Sequence, residues 1–242
     1  MTDFFRFPHT PHLAWLGVGK PRDDKVLASA DMNELLASEV VVEEKVDGAN
    51  LGFSVDAHGV LHAQNRGAYL ELDAPQGQWK PLKRWLATRQ HALTDSLTPD
   101  LILFGEWCYA LHSVRYTRLP DWFLAFDVYD RDKREFWSVE RRNELASHLG
   151  IAVVPELGRG HVTVTGLKEL ATRSQLTEGP GEGLYVRREA NGRLLTRAKL
   201  VRAEFVQAID EHWSTRTLEA NQLAPESRPS ASKPRTSSGG RA

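Results

Sequence analysis

Hydrophobic and polar positions alternate along this chain in short runs, and most of those runs predict strands. Val40 to Lys45 opens on three consecutive valines and closes on charge, so it reads as a buried strand whose last residues emerge at an edge. Leu51, Phe53 and Val55 then alternate with smaller or polar residues, a turn falls at Asp56-Ala57-His58-Gly59, and Val60 to Arg66 returns, which together predict a hairpin. Leu101 to Trp107 and Trp122 to Tyr129 are dense in leucine, β-branched and aromatic residues and read as central strands. Gly183 to Arg188 and Arg193 to Leu200 flank Ala190-Asn191-Gly192, a turn sequence that joins them as a second hairpin.

Helical spacing is confined to shorter stretches. Asp31 to Ala37 predicts one short helix, and Trp79, Leu82, Trp85 and Leu86 recur at a spacing that predicts an amphipathic helix over roughly Trp79 to His91, with the tryptophans in the core. Ser138 is placed to cap a helix ending near Leu149-Gly150, Thr165 to cap a shorter one over Leu167 to Thr172, and Glu204 to Trp213 can form a closing helix. Residues 1–30, rich in proline, histidine and glycine, hold no period and read as an ordered leader or loop wrapped on the domain. From about Thr217 the chain becomes rich in Pro, Ser, Arg and Gly, a composition that cannot bury enough apolar surface to offset ordering entropy. The expected organisation is one domain over 1–216 and a disordered polar tail over 217–242, without internal repeats.

Composition narrows the class. With 242 residues, 41% of them hydrophobic, and seven tryptophans, the chain can fill a sizeable core. No apolar run reaches the roughly 20 residues of a membrane span and the start lacks a secretion signal, so a soluble cytoplasmic protein is expected. Cys108 is alone and cannot form an internal disulfide, and no Cys or His cluster has zinc-ligand spacing. The net charge of -1 excludes a uniformly basic coat but not a local basic groove. Phosphate-cradling loops of the Gly-x-x-x-x-Gly-Lys-Ser or Gly-x-Gly-x-x-Gly kind are absent.

Candidate chemistry gathers where the first strand ends. In Glu43-Glu44-Lys45-Val46-Asp47-Gly48-Ala49-Asn50 a lysine is flanked by three carboxylates and a glycine. A lysine free in water has a pKa of about 10.4, so it is nucleophilic only where burial or neighbouring cations strip its proton. Cationic residues are therefore expected to converge on Lys45. Further charged or aromatic residues sit at strand edges in a set order: Asn65-Arg66-Gly67, Phe104-Gly105-Glu106-Trp107, Phe123 to Val128 with Phe126-Asp127, Glu182-Gly183-Leu184-Tyr185-Val186, and Arg197-Ala198-Lys199.

This succession, from about Val40 to Lys199, resembles the covalent nucleotidyltransferase superfamily of ATP-dependent polynucleotide ligases and RNA capping enzymes. Asn50 stands where the DNA ligases and capping enzymes usually carry arginine. In that respect the chain is similar to the nick-sealing RNA ligases of phage and kinetoplastid type, and Phe7-Pro8-His9-Thr10-Pro11-His12-Leu13 looks like the lead-in of their small bacterial relatives.

The resemblance implies an α+β, ATP-grasp-like nucleotidyltransferase domain of two packed antiparallel sheets with flanking helices and ATP in the cleft between them. It implies ATP-dependent joining of 5′-phosphate and 3′-hydroxyl RNA ends through lysyl-AMP and RNA-adenylate, with Mg2+ or Mn2+ as cofactor. Lys45 would be the nucleophile, and Lys199 and Arg197 would bring positive charge to the α-phosphate, the latter as arginine where the family has lysine. Glu106 and Glu182 would hold the metal or a ribose hydroxyl, Phe126 would stack on adenine, and Arg66 and Asn50 would contact phosphates of the nucleotide or of the 5′ end. Glu44 would orient Lys45 or the base. Expected partners are nicked or broken RNA, an RNA–DNA hybrid, and an end-healing kinase or phosphatase. The alternatives are a DNA ligase, a GTP-using capping-type transferase, and a non-catalytic nucleic-acid-binding protein of the same fold.

Overall fold

The structure, a computed structural model, describes residues 4–17, 26–208 and 218–227. In chain order, helix α1 (Ser29–Leu36) precedes strands β1 (Val40–Lys45), β2 (Ala49–Val55) and β3 (Leu61–Gln64). Helices α2 (Leu82–Leu86) and α3 (Gln90–Ser96), strands β4 (Leu101–Trp107), β5 (Phe123–Asp130) and β6 (Glu135–Phe136), and helix α4 (Val139–His148) follow. The chain continues through β7 (Glu156–Gly160), α5 (Val164–Leu170), β8 (Gly183–Ala190), β9 (Arg193–Val201) and α6 (Ala203–Ala208). The strands form two antiparallel sheets, ordered β7-β1-β8-β9 and β3-β2-β4-β5-β6.

The period of two along each strand decides what faces what. On β1, Val40 and Val42 join Leu184 and Val186 of β8 and Ala198 and Leu200 of β9 in an outer core beneath Leu35 of α1 and Leu167 of α5. In the second sheet, Leu51 and Phe53 of β2, Leu103 and Trp107 of β4 and Phe123 of β5 pack against Leu82, Trp85 and Leu86 of α2 and Leu93 of α3. The opposite faces meet in a third cluster that includes Ile102, Phe104, Leu124, Phe126, Val46 and Val201. Phe7 from the leader seals one end of it, 5.0 Å from the Phe104 ring and 5.2 Å from that of Phe126. The leader is tied down by Leu13 N–H donating to Lys199 O at 2.7 Å and Lys199 N–H donating to Pro11 O at 2.9 Å.

Charge also lies between the sheets. Arg187 of β8 bonds Asp127 of β5 and Glu189, each at 2.7 Å, and Arg142 of α4 forms an ion pair with Glu43 of β1 at 2.7 Å. Arg197 of β9 completes the set by pairing with Asp127. A bulge explains why arginines are needed here. The β4–β5 register steps from Phe104↔Asp127 to Gly105↔Ala125, leaving Phe126 unpaired, and its carbonyl accepts instead from Arg142 Nη1 at 2.8 Å and Arg187 Nη1 at 3.3 Å.

Several expectations are corrected. The single helix predicted over Trp79 to His91 is a 3-10 turn (Gly77–Trp79) followed by α2 and α3, since Arg89 leaves helical backbone at φ -127°. Successive short turns keep the tryptophans near one face, which mimics continuous helical spacing. The cap of α5 is Thr163, whose hydroxyl accepts from Gly166 N–H at 3.1 Å, and not Thr165. Strand β7 carries two glycines in Glu-Leu-Gly-Arg-Gly and β6 has two residues, so neither shows alternation. The predicted closing helix is described through Ala208, and its remainder lies outside the described residues.

The tail expected to be disordered from 217 is ordered over 218–227. Leu223 and Ala224 are buried, Ala110 bridges Ala220, Leu119 bridges Leu223, and Ala224 N–H donates to Leu119 O at 2.8 Å. Residues 228–242 lie outside the described residues.

Candidate active site

The two sheets close on a cavity of about 530 Å³ whose lining includes Lys45, Asn50, Arg66, Glu106, Phe126, Glu182 and Tyr185. Register brings distant residues together here. Lys45 pairs with Gly183, so Glu182, one residue before β8, lies beside the lysine, and Asn50 pairs with Glu106 across β2 and β4. A Cβ on Gly183 would lie 2.1 Å from Leu200 O, which is why β8 can begin against β9 only with glycine. Gly48 has the same role in the turn after β1, where a Cβ would meet Trp107 O at 2.7 Å.

Lys45 Nζ donates to Glu182 Oε2 at 2.6 Å, with the lysine side chain 16% exposed, and it lies 5.7 Å from the Tyr185 ring centre. Burial acts to depress the lysine's pKa, but the charges of Glu182, Tyr185 and Glu106 outweigh it and the ammonium is held above its ordinary value. The expectation that cations converge on Lys45 and strip its proton is thus reversed in this arrangement: carboxylates surround it. Burial pushes Glu106 up to about 8 and Glu182 up to about 7, each against the pull of Lys45. A cleft that gathers Glu106 and Glu182, with Asp47 nearby, around one ammonium opposes ionisation of both glutamates at once, an opposition that a bound cation would relieve.

Asn50 presents a buried Oδ1 without a hydrogen-bond partner among the described residues, in a residue that lines the cavity. Buried polar atoms are rarely left so. Phe126, displaced by the bulge in β5, turns its ring into the wall, and Arg66 sits exposed at the rim with its main-chain carbonyl accepting from Arg6.

Three expected site residues sit differently. Glu44 shares the outer face of β1 with Val40 and Val42. Its carboxylate accepts from Ser174 Oγ and, at 2.9 Å, from Gln175 N–H, so it anchors the 174–175 loop and does not line the cavity. Arg197 does not line it either. Its guanidinium is buried against Asp127 and stacked 4.6 Å from the Phe7 ring centre and 4.4 Å from that of Phe136. Lys199 is half-buried opposite Tyr185 on β9, outside the cavity lining, and its charge acts on Glu182.

The cavity also takes in Gln78, Trp79, His112 and Ser113, none anticipated from sequence. Gln78 and Trp79 come from the 3-10 turn ahead of α2, where helical spacing assigns Trp79 to the core, and His112 and Ser113 come from the β4–β5 connection, where no period marks them. His112 Nε2 lies 2.9 Å from Gln78 Oε1, which joins the turn to the connection across the cleft mouth. Beneath them Asp47 is turned away from the cavity's centre: its Oδ2 accepts from Ser113 N–H at 2.7 Å and Val114 N–H at 2.8 Å.

Two antiparallel sheets closing on a lysine at a strand end define the nucleotidyltransferase fold of RNA ligases. The structure is similar to Naegleria gruberi RNA ligase with PPi (TM-score 0.59, 18% identity, 87% of this chain and 65% of that one). It is also similar to a lysine-to-alanine mutant of that ligase with ATP and Mn (TM-score 0.58, 17% identity, 86% and 64%) and to a lysine-to-methionine mutant with AMP and Mn (0.57, 18%, 85% and 64%). The chain thus spans a little under two thirds of the length of these structures. Curated proteins give no sequence match. The sequence pattern of the RNA ligase family matches residues 38–201 of the 242, and the chain belongs to that family.

Proposed function

We propose that this protein is an ATP-dependent RNA ligase, sealing a 3′-hydroxyl to a 5′-phosphate through lysyl-AMP and RNA-adenylate, in cytoplasmic RNA repair. The observation that carries the reading is the Lys45–Glu182 contact of 2.6 Å inside a cleft that unites Asn50, Glu106 and Phe126 from the facing sheet. ATP with Mn, AMP with Mn and PPi are what the similar Naegleria structures hold, and AMP and PPi are the two fragments of ATP cleaved at its α-phosphorus.

The residues fit such ligands. Among the described residues no group of three or more His, Cys, Asp or Glu side chains could hold a metal by itself. Magnesium and manganese suit a site with two carboxylates, Glu106 and Glu182, because Mg2+ keeps several waters and takes phosphate oxygens as further ligands. When bound, the ion supplies charge that offsets the two carboxylates and the polyphosphate. Asn50 Oδ1, without a partner among the described residues, is an acceptor suited to a ribose hydroxyl or an ordered water, its amide nitrogen to a phosphate, and the Phe126 ring is a stacking surface for adenine.

In the first step the Lys45 amine attacks the α-phosphorus, the Nζ–P bond forms, the bond from that phosphorus to the bridging oxygen breaks, and pyrophosphate leaves. The ammonium must first lose its proton. Glu182 Oε2, in contact at 2.6 Å, is within reach to accept it. Lys199 adds positive charge behind Glu182, and Arg66 at the rim is placed for a phosphate of the nucleotide or of the RNA end. Attack of the 5′-phosphate on the lysyl-AMP phosphorus then breaks the Nζ–P bond and frees Lys45, and attack of the 3′-hydroxyl on the adenylated 5′-phosphate expels AMP and completes sealing, with ends prepared by a kinase or phosphatase where needed.

Sealing of matched nicks with an RNA or a DNA 3′-hydroxyl strand, in ATP or GTP with Mg2+, tests the reading. Joining of the RNA strand with ATP is expected. Preference for the DNA strand makes it a DNA ligase, use of GTP alone a capping-type transferase, and binding without joining a non-catalytic protein.

A further inference from the structure

The segment 218–227 is threaded through the arch that connects β4 to β5. Asn221, 4% exposed, commits its whole amide there: Nδ2 donates to Cys108 O at 2.9 Å and Ala110 O at 3.1 Å, and Oδ1 accepts from Tyr116 N–H at 2.9 Å. One side chain thus closes residues 108–116 into a loop. Main-chain bonds flank it, from Asn221 N–H to Tyr109 O at 2.9 Å, from Gln222 N–H to Tyr116 O at 3.0 Å, and from Leu111 N–H to Glu219 O at 2.8 Å.

The far side of the same arch grips the turn that follows Lys45. Tyr116 Oη accepts from Asp47 N–H at 2.8 Å, and the Ser113 and Val114 amides both donate to Asp47 Oδ2. Asp47 is two residues beyond Lys45, and both its amide and its carboxylate are committed to the arch. From Asn221 through Tyr116 to Asp47 each contact is a buried hydrogen bond, so the lysine turn rests on an arch whose shape Asn221 sets.

We propose that Asn221 is a positioning residue for the nucleophilic lysine, acting through Tyr116 and Asp47; this rests on the reading of Lys45 as the nucleophile. Attack on phosphorus is sensitive to the placement of the attacking atom, and small displacements cost rate even where binding is intact. Although His112 and Ser113 of the arch line the cavity, the ATP contacts proposed above are those of Asn50, Arg66, Glu106, Phe126 and Glu182, all outside the arch, so loosening it lowers the rate of the first step and leaves nucleotide affinity nearly unchanged.

Single-turnover transfer of label from ATP, with Mg2+, in full-length wild type, Asn221→Ala and Tyr116→Phe, separates rate, amplitude and ATP dependence. Measured well below the melting temperature of each protein, both variants are expected to label to the wild-type amplitude. Their rate at saturating ATP should be roughly tenfold lower or more, with half-saturating ATP within about twofold. Rates equal to wild type overturn the proposal, as does a loss of amplitude that tracks the unfolded fraction at unchanged rate, which marks a merely structural amide. If Asn221→Ala does not fold, Tyr116→Phe, which removes one hydroxyl, decides alone. A wild-type protein that takes no label from ATP overturns the ligase reading itself, a result distinct from unequal or equal rates among labelled proteins.

Discussion

A carboxyl group buried beside other carboxyls titrates late, and in this protein that makes the site a source of instability as well as of chemistry. Glu106 is pushed from the ordinary 4.5 up to about 8. The folded state therefore binds more protons at Glu106 than the unfolded state between these values, and stability must fall as pH rises through that window. Glu106→Gln is expected to flatten the decline, so that its melting temperature relative to wild type rises from pH 5 to pH 8. An unchanged slope would show that Glu106 ionises freely. Mg2+ or Mn2+ at pH 8 should likewise raise the melting temperature of wild type and not of Glu106→Gln with Glu182→Gln, because the ion takes the place of the missing proton. At this scale the sequence is most informative about side chains on inward strand positions. Lys45, Asn50, Glu106, Phe126 and Glu182, singled out because each ends or edges an apolar run, line one cavity. The place of Glu44 on the outer face of β1 and the pairing of Arg197 with buried Asp127 are properties of the packed sheets and leave no mark in a motif.

Elements are joined here by ion pairs as much as by apolar contact. Arg142 links α4 to Glu43 of β1 and to the carbonyl freed by the β5 bulge, with its side chain 1% exposed. Removing it leaves the buried Glu43 carboxylate and the Phe126 carbonyl with Arg187 alone, at 3.6 and 3.3 Å, so Arg142→Ala should lower the unfolding free energy by about 3–5 kcal/mol, measured by urea denaturation. Arg197→Ala should cost less, about 1–3 kcal/mol, because Asp127 keeps Arg187. The reverse order would mean that the network is centred on Asp127 and not on the bulge. Strands β1 and β4 are readable to the residue, since Val40 to Lys45 and Leu101 to Trp107 combine an apolar run with a charged or polar end. The edge strand β7 carries two glycines and shows no alternation, which is why pattern reading passes over it.

The whole molecule is more continuous than its composition advertises. Residues 218–227 are polar enough to resemble a linker, yet they add buried groups and main-chain bonds to the β4–β5 arch, and their partners lie more than a hundred positions away in the chain, as in Asn221 to Cys108. No local pattern records such contacts. A truncation ending at Thr217 is therefore expected to lose stability and the first chemical step together, contrary to what composition implies, whereas one ending at Ser227 should keep both. The 15 residues then removed hold Arg228, Lys233, Arg235 and Arg241 and no Asp or Glu, so their loss should weaken sealing and make it less salt-dependent. Equal melting temperatures for the two truncations would contradict the bracing role of 218–227. The central claim is that Lys45 carries AMP. Its most direct test is the intact mass of the protein after incubation with ATP and Mg2+, followed by peptide mapping: wild type should gain the mass of one AMP, lost in acid and located on Lys45, and Lys45→Ala should gain none. A wild-type mass without AMP, or AMP found on another residue or on Lys45→Ala, would contradict the account.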